Sequence, residues 1–203
     1  MKNILIPFIL LVAVILTGCG SDGNSNTNSS DIQIEEIKIK RYGRDLFSID
    51  PGNVGEELRS LAGDYYFFLG DNYTDTLSII QIRNYITDPF LVEIAGYSST
   101  IYPDLNTVER DLTGAFERYL SYYPDEKVPD IYSYISGVDF EHPVQYLDTV
   151  MIIALDCYLG PEYVPYQRLR IPVYRARRMQ ETFIVPDCMR EVARVKHLPS
   201  YCL

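Results

Sequence analysis

The side chains that could do chemistry in this 203-residue chain are few and scattered. Its two histidines, His142 and His197, lie far apart. A zinc peptidase of the His-Glu-x-x-His type needs two imidazoles one helical turn apart, with the glutamate as base. Neither histidine opens such a motif. Glu141-His142-Pro143 reads as a turn, and His197 as part of a helix end, where positive charge sits well near free carbonyls. Asp148 and Asp156 flank an apolar run, with Glu162 close behind. Paired carboxylates can hold a cation or move protons. Here a whole strand separates them, and aspartates at strand ends ordinarily cap turns. Arg168, Arg170, Arg175, Arg177 and Arg178 concentrate positive charge on a chain whose formal charge is −10. Of these, Arg175, Arg177 and Arg178 could dock an acidic partner or phospholipid headgroups, or form a solvated face that balances local acids. Cys157 and Cys188 could bridge a strand to the last helix, or both could be buried thiols. A nucleophilic thiol would need a base and a lowered pKa, and no histidine stands near either in the sequence. No catalytic residue, metal ligand or cofactor is therefore predicted.

Cys19 is different. Lys2 supplies a positive start, and Ile4 to Leu16 is apolar throughout except for Pro7. That run falls short of the roughly 20 residues that a spanning helix requires, so it reads as a signal peptide over residues 1–18. Bulky Leu16 stands three before Cys19, with small Thr17 and Gly18 between, which resembles the lipobox of bacterial lipoproteins. In that class the cysteine becomes the mature N-terminus and carries a diacylglyceryl thioether and an N-acyl chain such as palmitate. Several acyl chains anchor stably where a single one is marginal. Residues 19–31 hold no apolar run to bury and read as the lipidated terminus with a flexible tether.

Elements able to position a cargo domain begin at Ile32. Ile32, Ile34, Ile37 and Ile39 alternate with charged residues and suggest an edge strand, with a bulge at Glu35-Glu36. Asp50-Pro51 predicts a helix start carrying Val54, Leu58 and Leu61. A second helix fits Thr74 or Asp75 to Ile86, and Asp88-Pro89 opens a third. Asn106 with Glu109 predicts a capping-box start. That helix would bury Val108, Leu112, Ala115 and Tyr119 and leave Glu109 outside. Ile131, Ser133 and Ile135 alternate as in a strand, and the Val150–Leu155 run suits a central strand covered on both faces. A short basic helix fits Tyr174 to Met179, and Pro186 opens a last one with Met189, Val192 and Ala193 inward. Helices, then strands, then helices predict an α+β fold around a small sheet over residues 32–203. Eighteen tyrosines and no tryptophan suit core edges with wet hydroxyls. A pI near 4.6 argues against nucleic acid as a partner.

Several segments together resemble the gliding-motility lipoprotein GldB family of Bacteroidetes: Ile37 to Tyr42 leading to Asp45-Leu46-Phe47, Tyr132 to Gly137, Ile153 to Gly160, and Ile184-Val185-Pro186. The resemblance implies a lipoprotein of the cell envelope, held by Cys19 at a membrane with its domain outside the cytoplasm. It would support gliding through contacts with motility or secretion-apparatus proteins and without catalysis. Members of that family usually continue beyond Tyr201-Cys202-Leu203, so the resemblance also implies an incomplete domain. The predicted order of elements is distantly similar to zinc-peptidase folds. A degenerate or truncated relative that binds peptides, and a generic surface lipoprotein, are the competing expectations.

Overall fold

The computed structural model describes residues 32–147 and 149–197. Four short strands make one sheet: β1 (Ile39–Lys40), β2 (Asp130–Tyr134), β3 (Val144–Leu147) and β4 (Val150–Ala154), in the order β1-β2-β4-β3. β1, β2 and β4 run parallel, and β3 returns antiparallel along the edge beside β4. Every residue of β4 is buried, as its continuous apolar run predicts for a strand covered on both faces. The period-2 geometry of a strand divides its side chains. Met151 and Ile153 enter a large core with Leu112, Phe116, Ile184 and Val192. Val150 and Ile152 enter a smaller cluster with Tyr65 and Tyr132. The protein is thus a mixture of helices and one small sheet, and the parallel pairing at its centre has no counterpart in the sequence pattern.

Between β1 and β2 run α1 (Tyr42–Leu46), α2 (Val54–Leu61), α3 (Tyr66–Leu69), α4 (Thr76–Thr87), α5 (Pro89–Ile101) and α6 (Asn106–Tyr122). The α4–α5 junction follows the prediction. Asp88 accepts hydrogen bonds from the N–H groups of Phe90 and Leu91, with Pro89 at the first helical position. Asp50-Pro51 does not start α2, contrary to expectation. Asp50 bonds the N–H of Gly52 in a local turn, and the helix begins two residues later at Val54. α6 also starts differently: Leu105 occupies its N-cap, and Asp104 accepts from the N–H of Asn106.

Glu109 is the larger correction. It is buried, because its carboxylate accepts the N–H of Ile39 at 2.9 Å and the ammonium of Lys38 at 3.0 Å. Two further side chains of α6 continue this row. Thr113 Oγ1 takes the N–H of Ile37 at 2.9 Å and Glu117 Oε1 that of Ile34 at 3.4 Å. The segment from Ile34 to Ile39 is therefore laced to a helix, and only its last residue and Lys40 pair as an edge strand. The buried stripe of α6 is Val108, Leu112, Phe116 and Leu120, with Ala115 and Tyr119 half-buried.

After β4 the chain makes a tight turn at Leu155–Cys157, then α7 (Val164–Arg168), α8 (Val173–Ala176) and α9 (Ile184–His197). α9 packs on β3, β4 and α6 through Ile184, Cys188 and Val192, while Ala193 is exposed rather than inward. The other face of the sheet is covered by aromatic side chains. Tyr42 stacks on Phe68 with ring centres 4.0 Å apart, and Tyr65, Phe67 and Phe68 gather around Tyr132. Among the described residues, no helix is long and apolar enough to cross a membrane.

Candidate functional site

Asp187 sits in the first turn of α9, only 5% exposed. A buried carboxylate needs partners, since an isolated one costs several kcal/mol to desolvate (about 3–5 when a partner is removed). It has three. Tyr158 donates its hydroxyl to Oδ2 at 2.9 Å, while Arg178 and Arg190 each donate to Oδ1, at 3.1 and 2.7 Å. The positive end of the α9 dipole adds to them. Burial pushes the Tyr158 phenol well above its ordinary range, with Asp187 adding to the rise, so it remains a donor at physiological pH.

The two guanidiniums are half-exposed and face a cleft of about 70 Å³. Arg178 is held in place by the Phe183 ring, 4.6 Å from its guanidinium carbon. Arg175 lines the same cleft, and Phe140, Pro143 and Met179 supply apolar wall. A guanidinium carries five N–H donors in a fixed fork. One bond to Asp187 leaves most of each fork available to a second acidic group.

Cys157 also lines the cleft, but its thiol is not poised to attack. Burial raises its pKa well above the usual thiol range, and the negative charge of Asp156 adds to the rise. Cys188 is wholly buried, and its thiol is likewise raised by burial. Both cysteines are free thiols in this structure.

Asp156 lies on the same turn and is fully buried. Its partners are neutral. The N–H and hydroxyl of Ser136 and the N–H of Val138, at 2.6 Å, all donate to it. Burial raises its pKa and these bonds pull against the rise. Gly137 and Val138 both have positive φ, at 77° and 66°, a conformation that valine rarely adopts. Asp156 clamps this loop, the turn-capping role ordinary for an aspartate at a strand end.

The remaining candidates are dispersed. Arg177 offers its backbone carbonyl to Gln180 and does not line the cleft. Arg168 approaches Glu93 on α5 at 3.9 Å, and Arg170 takes a left-handed turn conformation with φ of 57°. His142 is exposed beside Asp139, and His197 stacks on Tyr123 with ring centres 4.2 Å apart. Glu162 is exposed. Cys19 and Asp148 lie outside the described residues. Among the described residues, no three histidine, cysteine or acidic side chains converge on a point where a metal would sit. The structure thus brings together Arg175 and Arg178, and adds Arg190 and Asp187. The three-residue spacing of Asp187 and Arg190 on one helix was a signal for that pair.

Residues 22–200 match the sequence profile of a family described as gliding motility protein GldB. The match begins just past Cys19. No curated protein and no solved structure matches the chain.

Proposed function

The chain belongs to the GldB family of gliding-motility lipoproteins, and from that premise we propose that it is held at the cell envelope by lipid on Cys19 and works there through protein–protein contacts, not catalysis. The observation that carries the contact reading is the cleft around Asp187. Its three arginines stand out on a chain of formal charge −10, and two are pre-oriented by a buried carboxylate. Such a surface suits an acidic segment of a partner in the motility or secretion apparatus. Charge complementarity of this kind steers association and fixes register. The thiol of Cys157, raised by burial, offers no nucleophile to a bound peptide.

Two experiments test the reading separately. Replacing Cys19→Ala in the chromosomal copy should release the protein from the membrane fraction and reduce spreading on agar. Unchanged membrane association would sink the anchor. Charge reversal by Arg175→Glu, which lines the cleft without bonding Asp187, should reduce partners recovered by cross-linking while membrane association stays intact. Full recovery would remove the docking face from the proposal.

A further inference from the structure

Arg41 is the one buried cation of the described core, 9% exposed, and no carboxylate lies within ion-pair distance of it. Its Nη atoms donate to the carbonyls of Pro103 and Tyr102, at the end of α5. Its Nε is buried without a hydrogen-bond partner. An orphaned charged donor is expensive, and such groups ordinarily meet a ligand or water. The negative end of the α5 dipole offsets part of the charge, about half a unit. Burial pulls the guanidinium pKa down, which marks how incompletely it is compensated.

Arg41 lines a narrow cavity with Arg44 and the hydroxyl-bearing residues Ser98, Ser99 and Ser133. Ser98 and Ser133 are as buried as the core around them. The cavity holds about 10 Å³, room for one water-sized atom. Arg44, Ala95 and Ser99 also line a second, open groove of about 630 Å³ between the turn after α1 and the helices α4 and α5. Phe47, Ile49, Pro51, Ile86 and Val92 make that groove mostly apolar. Its volume falls in the range of small-molecule sites, roughly 300–1,000 Å³, which typically join an apolar body to a few placed polar groups.

We propose that this groove binds an aliphatic monocarboxylate, its hydrocarbon body along Phe47, Ile49 and Val92 and one carboxylate oxygen in the throat beside Arg41. The charge decides the head group: one incompletely compensated buried cation suits a monoanion, and a planar carboxylate can lead with a single oxygen into a throat that has room for one such atom. The serine hydroxyls supply further donors. This site shares no residue with the Asp187 cleft and stands or falls apart from it.

Gly96 makes the site testable without touching the fold. It lies on the exposed side of α5 in the groove, and a Cβ there meets nothing within 4 Å. The full chain is melted with octanoate, octan-1-ol or octylammonium at matched concentrations. Octanoate alone should raise the melting temperature, by about 3 °C near saturation. Gly96→Leu should fold normally and lose that response, while Gly96→Ala keeps it. Arg41→Met should lose it too, though that change also strips the carbonyls of Tyr102 and Pro103. Equal responses to all three probes, no response at all, or an octanoate response that survives Gly96→Leu would each overturn the proposal.

Discussion

Asp156 and Asp187 are two buried carboxylates, and they are satisfied in opposite ways. Asp156 receives only neutral donors, two backbone N–H groups and a serine hydroxyl, all from one loop. Asp187 receives two guanidiniums and a phenol from three different segments. Neutral donors leave the negative charge inside, and its burial raises the pKa of Asp156. Charged donors bring their own solvated ends to the surface. The first arrangement closes a loop. The second keeps cations at the rim of a cleft, where something else can share them.

Breaking the closed arrangement should cost most. Asp156→Ala strands the N–H groups of Ser136 and Val138 and releases a loop held at positive φ. A loss of about 3 kcal/mol is expected in denaturant unfolding. Asp156→Asn should cost less, and its cost should depend on pH. The folded pKa of Asp156 is raised, so its carboxyl contributes most below the unfolded value of 3.8. That contribution is lost as pH rises through the folded pKa. The gap between wild type and Asp156→Asn should therefore shrink from pH 4 to pH 8; a widening gap would reverse the assignment.

Asp187→Asn removes the charge that two arginines share. About 2 kcal/mol of stability should be lost, with tighter, salt-sensitive binding to a polyglutamate column. Loss of stability without that tightening would make Asp187 a core acid and nothing more. Tyrosines bear on both regions. Burial raises the phenols of Tyr42 and Tyr134 to about 12, and those of Tyr158 and Tyr166 further still. Their stabilisation is complete below the unfolded value of 10.0 and is lost as pH climbs toward the folded ones. Absorbance at 295 nm should show these tyrosines titrating only together with loss of the circular-dichroism signal. The smallest effect belongs to Arg175→Gln, which makes no bond to either aspartate. Stability should hold within about 0.5 kcal/mol while acidic-partner capture falls.

Some of this was legible in the residues. The Val150–Leu155 run announced a doubly covered strand, Asp88-Pro89 a helix start, and Asp156 a turn cap. Local signals failed where distant ones overrode them. Glu109 sits on the polar face by sequence spacing, yet the N–H of Ile39 and the ammonium of Lys38 draw it inward. Ile32 to Ile37 alternate as a strand, but the N–H groups of Ile34 and Ile37 find their partners on α6. The pairing order β1-β2-β4-β3 depends on contacts across the whole chain, which no local period encodes. Of the cleft, the basic cluster was visible. Its organising acid was not, because Asp187 comes to Arg178 only through the packing of α9.

Glu109, Thr113 and Glu117 stand in a row between the leading segment and α6. Whatever pulls on the chain ahead of Ile34 reaches the domain through these side chains, in the order Glu117, Thr113, Glu109. A tug outward from α6 would open them one by one, Glu117 and Thr113 each at the strength of a single hydrogen bond and Glu109 last, with its bonds to Lys38 and Ile39. A tug along the axis of α6 would load all three at once, together with the pairing of β1 on β2. The domain therefore has a soft direction and a stiff one, and the direction of drag decides whether the leading segment peels or holds.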